Sequence, residues 1–424
     1  MNAGDLISTE AFALMVKRLY GEDADTLKEQ RERYTKLAAR FGQSFGGEQG
    51  DVLFFSAPGR TEIGGNHTDH NNGKVLAAAV NLDTVACVQK RNDNCIVVES
   101  EGYPRITVDL NDLSVQEKEF GTTRSIIRGT AALLKARGMK TGGFSAVVTS
   151  SVLRGSGLSS SAAFEVLMIA ILDGLYNRFD LDPVERACIA QKVENVYFGK
   201  PCGLMDQMAC SVGGMVAIDF EKPQAVVTQV DYDFRKKGYV LCVINTGGSH
   251  GDLTDDYAAI RKEMESVAAC FGADVLREVD PARFEESIAD VRRAAGDRAV
   301  LRAMHFYDEN RRVEEQLKAI RDDDLAGFFG LVNRSGDSSW KLLQNVYARP
   351  GEEQMALAIE VTRRFLGGEG AQRVHGGGFA GTIQAYIPED RLTAYMAHME
   401  RIFGRGCCTP LSVRPCGAVM IGKD

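Results

Sequence analysis

A glycine-rich turn that runs through three hydroxyl side chains is the strongest chemical signal in the sequence. Residues 155–163 read Gly-Ser-Gly-Leu-Ser-Ser-Ser-Ala-Ala, between a strand-like run at 144–149 and a helical apolar pattern at 162–175. Unpaired backbone N–H groups and the positive end of a helix dipole converge on such a turn, and glycine lets the backbone approach an anion closely. The turn therefore predicts a phosphate site, with an ordinary serine N-cap as the alternative. It is not a Walker A loop, because no Gly-Lys-Ser or Gly-Lys-Thr follows at the required spacing.

A second polar segment lies between two strand-like runs, at residues 58–73. It carries Arg60, Asn66, His67, Asp69 and His70, a dense set of donors and acceptors that suits a polyhydroxylated ligand. Two alternatives stay open at this point. The His-x-x-His spacing could belong to a transition-metal site, or the segment could be a turn-rich connection without a ligand.

Two further segments could complete such a site. Glu194 ends a helical pattern, and Asp206 follows a Pro-Cys-Gly turn at residues 201–203. Both could be ordinary surface charges, but beside a phosphate turn one could bind magnesium and the other could act as a base for a hydroxyl nucleophile. Residues 376–381 contain four glycines, which predicts either a close approach to a ligand or a helix C-cap with a tight return.

Length and composition restrict the classes of protein that could hold these segments. The chain has 424 residues, more than one core usually holds, and we expect two domains. Hydrophobic residues make up 44% and charged residues 25%, as in globular proteins that are not embedded in a membrane. The net charge of −8, without a basic cluster, argues against a nucleic-acid partner, and no apolar run is long enough to suggest a membrane span. None of the ten cysteines forms a Cys-x-x-Cys pair, so we expect reduced thiols and a cytoplasmic location.

The elements that must position these residues predict an α+β fold. Helical and charged residues precede strand-like runs at 52–57, 75–88 and 96–99, and the glycine-serine turn and its helix follow. A boundary is expected near residue 220, which gives an N-terminal domain at 1–220 and a C-terminal domain at 221–424. A strand at 239–245, several charged helices and a strand at 382–387 build the second domain. Mixed sheets with helices and a ligand cleft between the domains are predicted.

Together these segments resemble the galactokinases within the GHMP family of small-molecule kinases. The polar segment from Gly59 to Leu76 is similar to the galactokinase signature, the turn at 155–163 to the ATP loop, and residues 374–381 to the third, glycine-rich motif. Residues 201–207 resemble the segment that carries the catalytic aspartate. The resemblance implies the two-domain GHMP kinase architecture, with a ferredoxin-like second domain and the active site between the domains.

The resemblance also implies a role for each matching residue. Asp206 would orient or deprotonate the C1 hydroxyl of a sugar, and Arg60 would keep Asp206 ionised. Mg2+ would be held by Ser161 and Glu194, and ATP would be the co-substrate. The implied ATP-binding residues are Gly155, Ser156, Gly157, Leu158, Ser159, Ser160 and Ser161, and the implied sugar-binding residues are Asn66, His67, Asp69, Gly203 and Tyr257. The expected partners are ATP and a small sugar, in a monomer or a small homo-oligomer.

The departures from the family pattern fall in the sugar segment. Asn66 stands where the family has a glutamate that contacts the sugar C6 hydroxyl, Glu62 stands where the family has asparagine, and His70 replaces a tyrosine. D-galactose is the first expected substrate, and galacturonate, N-acetylgalactosamine or arabinose are alternatives. A non-catalytic sugar sensor disagrees with the intact ATP loop, and a dinucleotide-binding oxidoreductase lacks the Gly-x-Gly-x-x-Gly fingerprint. We expect Asn66→Glu to shift the preference toward galactose.

Overall fold

The computed structural model describes residues 3–46, 51–152, 157–222, 224–248, 253–379 and 381–421. Two β-sheets organise this part of the chain. The strands are β1 (Val52–Gly64), β2 (Lys74–Lys90), β3 (Cys95–Ser100), β4 (Ile106–Asp109), β5 (Phe144–Ser150), β6 (Met215–Asp219), β7 (Val226–Val230), β8 (Tyr239–Asn245), β9 (Ala371–Val374), β10 (Thr382–Pro388), β11 (Cys408–Leu411) and β12 (Val419–Ile421).

The helices surround these sheets. They are α1 (Ala3–Ile7), α2 (Glu10–Tyr20), α3 (Ala24–Phe45), α4 (Thr123–Ala136), α5 (Ser160–Tyr176), α6 (Pro183–Val193), α7 (Met205–Val212), α8 (Thr254–Ala269), α9 (Pro281–Glu286), α10 (Ile288–Ala295), α11 (Asp297–Arg321), α12 (Leu325–Ser338), α13 (Gln354–Leu366) and α14 (Leu392–Phe403). Among the residues described, no helix is both long and apolar enough to cross a membrane.

The first sheet has the order β12-β1-β2-β5-β3-β4, and β6 and β7 extend it from the second edge of β2. Among the described strands of this sheet, β3 and β5 pair in parallel and the other pairs are antiparallel, so the sheet is mixed as expected. One core lies between this sheet and α4, α5, α6 and α7. On the opposite face, α2 and α3 pack Phe12, Tyr34 and Phe41 against strand residues that include Phe54.

The long hairpin of β1 and β2 differs from the sequence prediction. We expected β1 to end near residue 57 and a polar loop to follow, but β1 continues to Gly64 and pairs with β2 along most of that length. Two register shifts, between Pro58 and Arg60 and between Glu62 and Gly64, interrupt the pairing. The polar side chains of this stretch are buried and hydrogen-bonded, so they do not show the alternation of a half-exposed strand. Arg60 and Glu62 therefore extend from a rigid strand.

The second sheet is antiparallel, with the order β11-β8-β10-β9. Helices α13 and α14 cover it with a separate apolar core, and α8, α10 and α11 form a third core. The closing segment of the chain divides between the sheets, because β11 pairs with β8 whereas β12 pairs with β1. The predicted boundary at residue 220 precedes β7, which still pairs with β6 of the first sheet.

The third glycine-rich segment also has different neighbours from those expected. Sequence analysis placed it between a helix and a strand, but β9 precedes it and pairs with β10. Residues 375–381 therefore connect two strands of a hairpin. This connection brings His375 against β1 of the first sheet, where its Nε2 lies 3.0 Å from Oγ1 of Thr61.

Candidate active site

A bidentate ion pair joins Arg60 of β1 to Asp206 in the first turn of α7. Nε and Nη2 of Arg60 donate to Oδ1 and Oδ2 of Asp206 at 2.7 and 2.8 Å. The arginine is buried, whereas the aspartate side chain is 32% exposed. Burial by itself would raise the pKa of Asp206, but the charge and hydrogen bonds of Arg60 outweigh burial and lower the pKa. An ionised carboxylate is therefore held at a surface that a ligand can reach.

The phosphate loop contacts this pair directly. Ser159 donates its hydroxyl to Oδ2 of Asp206, and Nη1 of Arg60 donates to the carbonyl of Gly157. The backbone N–H of Arg60 also donates to the carbonyl of Leu158, at 3.0 Å. Ser159 has a left-handed backbone (φ 58°) and immediately precedes α5. The turn therefore places the N-terminus of α5, with its unpaired N–H groups, next to Asp206.

The described part of the loop is closely packed. A Cβ on Gly157, which has a φ of 71°, would lie 2.9 Å from Nδ1 of His375 in the second sheet's hairpin connection. A side chain at this position would therefore separate the loop from the other half of the molecule. Gly155 and Ser156, the first two predicted ATP-binding residues, lie outside the described residues.

One predicted magnesium residue lies in the first turn of the helix that follows this loop, and the other is linked to the same helix through Gln207 and Glu165. Ser161 is exposed in the first turn of α5, and Glu194 begins the π-helical turn that ends α6. Glu194 is buried, and Nε2 of Gln207 donates to its Oε2 at 2.8 Å, while its Oε1 lies 3.6 Å from Nζ of Lys200. Hydroxyl and carboxylate oxygens are the donors that Mg2+ takes, with water completing its coordination. The chemistry of these donors therefore fits the ion.

The alternative of a transition-metal site finds no support in the geometry. Within the described residues, no three His, Cys, Asp or Glu side chains are grouped to hold a metal ion. Nε2 of His67 instead donates to the carbonyl of Gly377 at 2.8 Å, because a carbonyl can only accept. Burial, followed by the neighbouring His70, lowers the pKa of His67 to about 4, so its imidazole is neutral near pH 7.

Apart from Asn66, the predicted sugar residues form two separate sets of contacts. In one set, a Cβ on Gly203 would clash with Oδ2 of Asp69, so a larger residue here would force this carboxylate to move. In the other, Tyr257 of α8 donates its hydroxyl to the carbonyl of Gly378 at 2.8 Å. The Tyr257 ring also covers Gly377, whose added Cβ would lie 2.6 Å from Cε1 of Tyr257.

Asn66 lies in a buried network that joins the two halves of the molecule. Its Nδ2 donates to Oε1 of Glu62 at 3.0 Å and to the carbonyl of Gly376 at 2.8 Å. Its Oδ1 accepts from Asn345 at 2.9 Å and from Ser339 at 3.3 Å. The side chain has no exposed surface. Each polar atom of the amide is thus bonded within the protein, and a contact with a sugar would require one of these bonds to be exchanged.

Glu62 is the acidic residue of this network. Nη2 of Arg373 donates to its Oε1 at 2.5 Å, and both side chains are buried. Burial raises the pKa of Glu62 to about 7, although Arg373 and Arg60 oppose that shift. Glu62 stands where the family has asparagine, and Asn66 stands where the family has glutamate. In this structure the two side chains are hydrogen-bonded to each other.

Sequence reasoning missed several residues of the site. Arg373 and Asn345 could not be found from spacing, because they reach the network from positions about 300 residues away in the chain. Glu165 gave a usable signal, since it lies four residues after Ser161 and a helical period places both on one face of α5. Sequence analysis gave it no role, because it borders the long apolar run of this helix.

Comparison with known proteins identifies the family. A galactokinase galactose-binding signature matches residues 39–90, and a GHMP kinase N-terminal domain matches residues 125–214. The galactokinase of Actinobacillus pleuropneumoniae serotype 3 (strain JL03) is 30% identical over 377 residues, which cover 86% of this chain and 91% of that protein. The galactokinase of Staphylococcus carnosus (strain TM300) is 31% identical over 383 residues, which cover 87% and 93%. The chain belongs to the galactokinase family.

Solved structures agree on the fold of this family. Lactococcus lactis galactokinase complexed with galactose superimposes with a TM-score of 0.79 at 24% identity, over 91% of this chain and 99% of that chain. The mevalonate kinase of Methanococcus jannaschii superimposes with a TM-score of 0.61 at 15% identity, over 86% and 99%. The predicted GHMP kinase fold is confirmed, and so is the prediction that the chain is a sugar kinase.

Proposed function

We propose that this protein transfers the γ-phosphoryl group of ATP to the C1 hydroxyl of D-galactose. The observation that carries the proposal is the bidentate pair of Arg60 and Asp206, which lies against the phosphate loop and keeps an ionised carboxylate partly exposed. The galactokinases of two bacteria that align with most of the chain support the choice of sugar.

Asp206 is the residue that acts on the sugar hydroxyl. Because its pKa is lowered, Asp206 is a carboxylate at neutral pH and accepts the hydroxyl proton or a hydrogen bond from it. Arg60 holds both carboxylate oxygens, so the acceptor has one orientation. Phosphoryl transfer needs no covalent enzyme intermediate, since positioning and electrostatic stabilisation supply most of the catalysis.

The phosphate loop and the N-terminus of α5 are proposed to bind ATP. The predicted loop residues Gly155 to Ser161 would donate backbone N–H groups and hydroxyls to the phosphates. Bound Mg2+ would neutralise charge on the β- and γ-phosphates. Ser161 and Glu194 are proposed to hold the ion, and their hydroxyl and carboxylate oxygens are donors that Mg2+ takes.

Asp69, His67 and Tyr257 are proposed to surround the sugar ring. The Asp69 carboxylate can accept hydrogen bonds from ring hydroxyls, and Gly203 leaves room beside it. His67 and Tyr257 both donate to carbonyls of the glycine-rich hairpin connection, so sugar binding and the position of that connection are linked.

A 1-kinase for a related sugar is the second candidate, and one observation favours it. The family's glutamate, an acceptor for the C6 hydroxyl, is replaced by Asn66, whose amide is bonded within the protein. A sugar with a different C6 substituent, such as galacturonate or arabinose, would lose nothing by this replacement. N-acetylgalactosamine is a further candidate. A non-catalytic sensor is disfavoured, because Arg60, Ser159 and Asp206 are present and assembled.

The proposed location is the cytoplasm. All ten cysteines are free thiols, which supports this proposal. A monomer or a small homo-oligomer stays a prediction that light scattering on the purified protein would test.

The test measures ADP release with Mg-ATP and a panel of galactose, galacturonate, N-acetylgalactosamine, arabinose and glucose. Turnover on galactose in preference to the others is expected, and Asp206→Asn should lower turnover by about 10²–10⁴-fold. Calorimetry should show that this variant still binds the sugar. Near-native turnover of the variant would remove Asp206 from the mechanism, whereas turnover on another sugar alone would select the second candidate.

A further inference from the structure

Two buried acidic side chains, one in the helix that follows the phosphate loop and one at the end of α6, share one amide group. Nε2 of Gln207 donates to Oε2 of Glu194 at 2.8 Å and to Oε2 of Glu165 at 3.1 Å. All three side chains are buried. Gln207 is the neighbour of Asp206 in α7, and Glu165 lies one turn after Ser161 in α5. The cluster therefore touches both helices that carry proposed catalytic and metal-binding residues.

Few cations or hydrogen-bond donors lie next to these two acidic side chains. Among the described residues, Lys200 is the cation within ion-pair distance of either acid, at 3.6 Å from Oε1 of Glu194, and its side chain is 65% exposed. Oε1 of Glu165 and Oε1 of Gln207 are buried and have no hydrogen-bond partner in the described part of the chain. Nearly every buried polar atom in a folded protein has a partner, so these two atoms require an explanation.

Stability alone does not explain the cluster. Replacing buried charged groups with apolar residues of similar volume is often neutral or stabilising, and a carboxylate in an apolar helix core is expensive to bury. Glu165 lies within a run of buried apolar residues of α5. A buried polar network beside a catalytic group is more consistent with a role in holding that group in place.

We propose that Gln207 and Glu165 are positioning residues for the magnesium ligand Glu194. Gln207 binds Oε2 of Glu194, so the metal would take Oε1, whose neighbour is the exposed side chain of Lys200 at 3.6 Å. Glu165 accepts from the same Nε2 and thereby fixes the plane of the Gln207 amide. This inference rests on the proposed function, because Glu194 is a magnesium ligand only in that proposal. Outer residues of this kind commonly change metal affinity by about 10–100-fold when they are removed.

The test uses Mn2+ as a paramagnetic probe in place of Mg2+. Free Mn2+ is measured by electron paramagnetic resonance during titration of the full-length protein saturated with the non-hydrolysable nucleotide AMPPNP. Gln207→Leu should weaken Mn2+ binding by about 10-fold or more, and Glu165→Gln should weaken it by a smaller factor. Sugar affinity, measured by calorimetry, should stay within twofold for both variants. The Mn2+ readout does not depend on which sugar is phosphorylated.

The matched control is Asp173→Asn, which alters a buried acid at the far end of the same helix, where Arg186 pairs with it. This variant should lose stability and keep the Mn2+ affinity of the wild type. Mn2+ affinity within twofold of the wild type in both site variants would overturn the positioning roles. If Gln207→Leu does not fold, Gln207→Met keeps the side-chain length, removes the donor without adding a charge and decides the same question. Absence of Mn2+ binding by the wild type would refute the proposed metal site itself.

Discussion

Replacement of Asn66 by the family's glutamate should disrupt the structure before it changes the specificity. Asn66 donates both to the Glu62 carboxylate and to the carbonyl of Gly376, so a glutamate in its place would face two acceptors and offer no proton at neutral pH. The sequence predicts that Asn66→Glu favours galactose. The buried contacts of Asn66 instead predict that this change first lowers the stability of the protein.

The magnitude follows from burial. Asn66 and Glu62 are both buried, and leaving one buried charge without a partner costs about 3–5 kcal/mol. Glu62→Asn should cost a similar amount, because it removes the carboxylate from the buried guanidinium of Arg373. The double variant, Glu62→Asn with Asn66→Glu, again places one acid beside one amide. It should therefore be more stable than the two single changes predict, by about 2 kcal/mol, which lies within the range measured for contacting residues.

Urea unfolding of the four proteins measures this coupling. The single tryptophan, Trp340, directly follows Ser339, which donates to Oδ1 of Asn66, so its fluorescence reports on this region. A Michaelis constant for each sugar, measured on the double variant, then tests specificity in a folded protein.

The pH dependence provides an internal check. Folding raises the pKa of Glu62 to about 7, so the folded state takes up the proton more readily than the unfolded state does. The stability associated with Glu62 is thus greatest at low pH and falls as the pH rises toward 7. The loss caused by Asn66→Glu should accordingly be smaller at pH 5.5 than at pH 8. A stable Asn66→Glu variant with additive single effects would show that the side chain at position 66 reaches the cleft, and would refute the reasoning.

Three other changes test separate parts of the site and fold. Gly203→Ala should raise the Michaelis constant for the sugar at least about 10-fold without changing that for ATP, because the added Cβ clashes with Asp69. Equal effects on the two Michaelis constants would contradict this prediction. Arg60→Lys should move the acidic limb of the pH–kcat/KM profile to higher pH, since burial raises the pKa of Asp206 once the bidentate pair is lost. An acidic limb at the wild-type pH would show that Arg60 does not lower the pKa of Asp206. Asp83→Asn should lower the free energy of unfolding at pH 7, measured by thermal unfolding, by about 3–5 kcal/mol, because it removes a buried carboxylate from two arginines. A decrease of less than about 1 kcal/mol would contradict this prediction.

Local patterns in the sequence were sufficient for the regular elements near the site. The strand predicted at 239–245 is β8 with the same bounds, and the helix predicted after the glycine-serine turn is α5. These elements are short-range consequences of apolar periodicity and of glycine and serine at a helix start. The order of the motifs was also sufficient to predict the galactokinase family.

The extension of β1 beyond residue 57 was not predictable in the same way. Polar residues such as Arg60 and Glu62 usually indicate a loop, yet here partners from other elements satisfy them inside the protein. Periodicity cannot show such partners, because they are more than 100 residues away in the chain.

The sequence by itself therefore determined which residue types were available for chemistry and which local turns and helices present them. Only the tertiary structure decided which of these residues face the cleft and which serve as internal supports. Asp206 and Asn66 illustrate the difference, since both belong to matched motifs but one is a partly exposed carboxylate and the other a buried amide. The physical reason is that burial and hydrogen bonding depend on residues brought together from both halves of the chain, and those contacts set the charge and accessibility of each group.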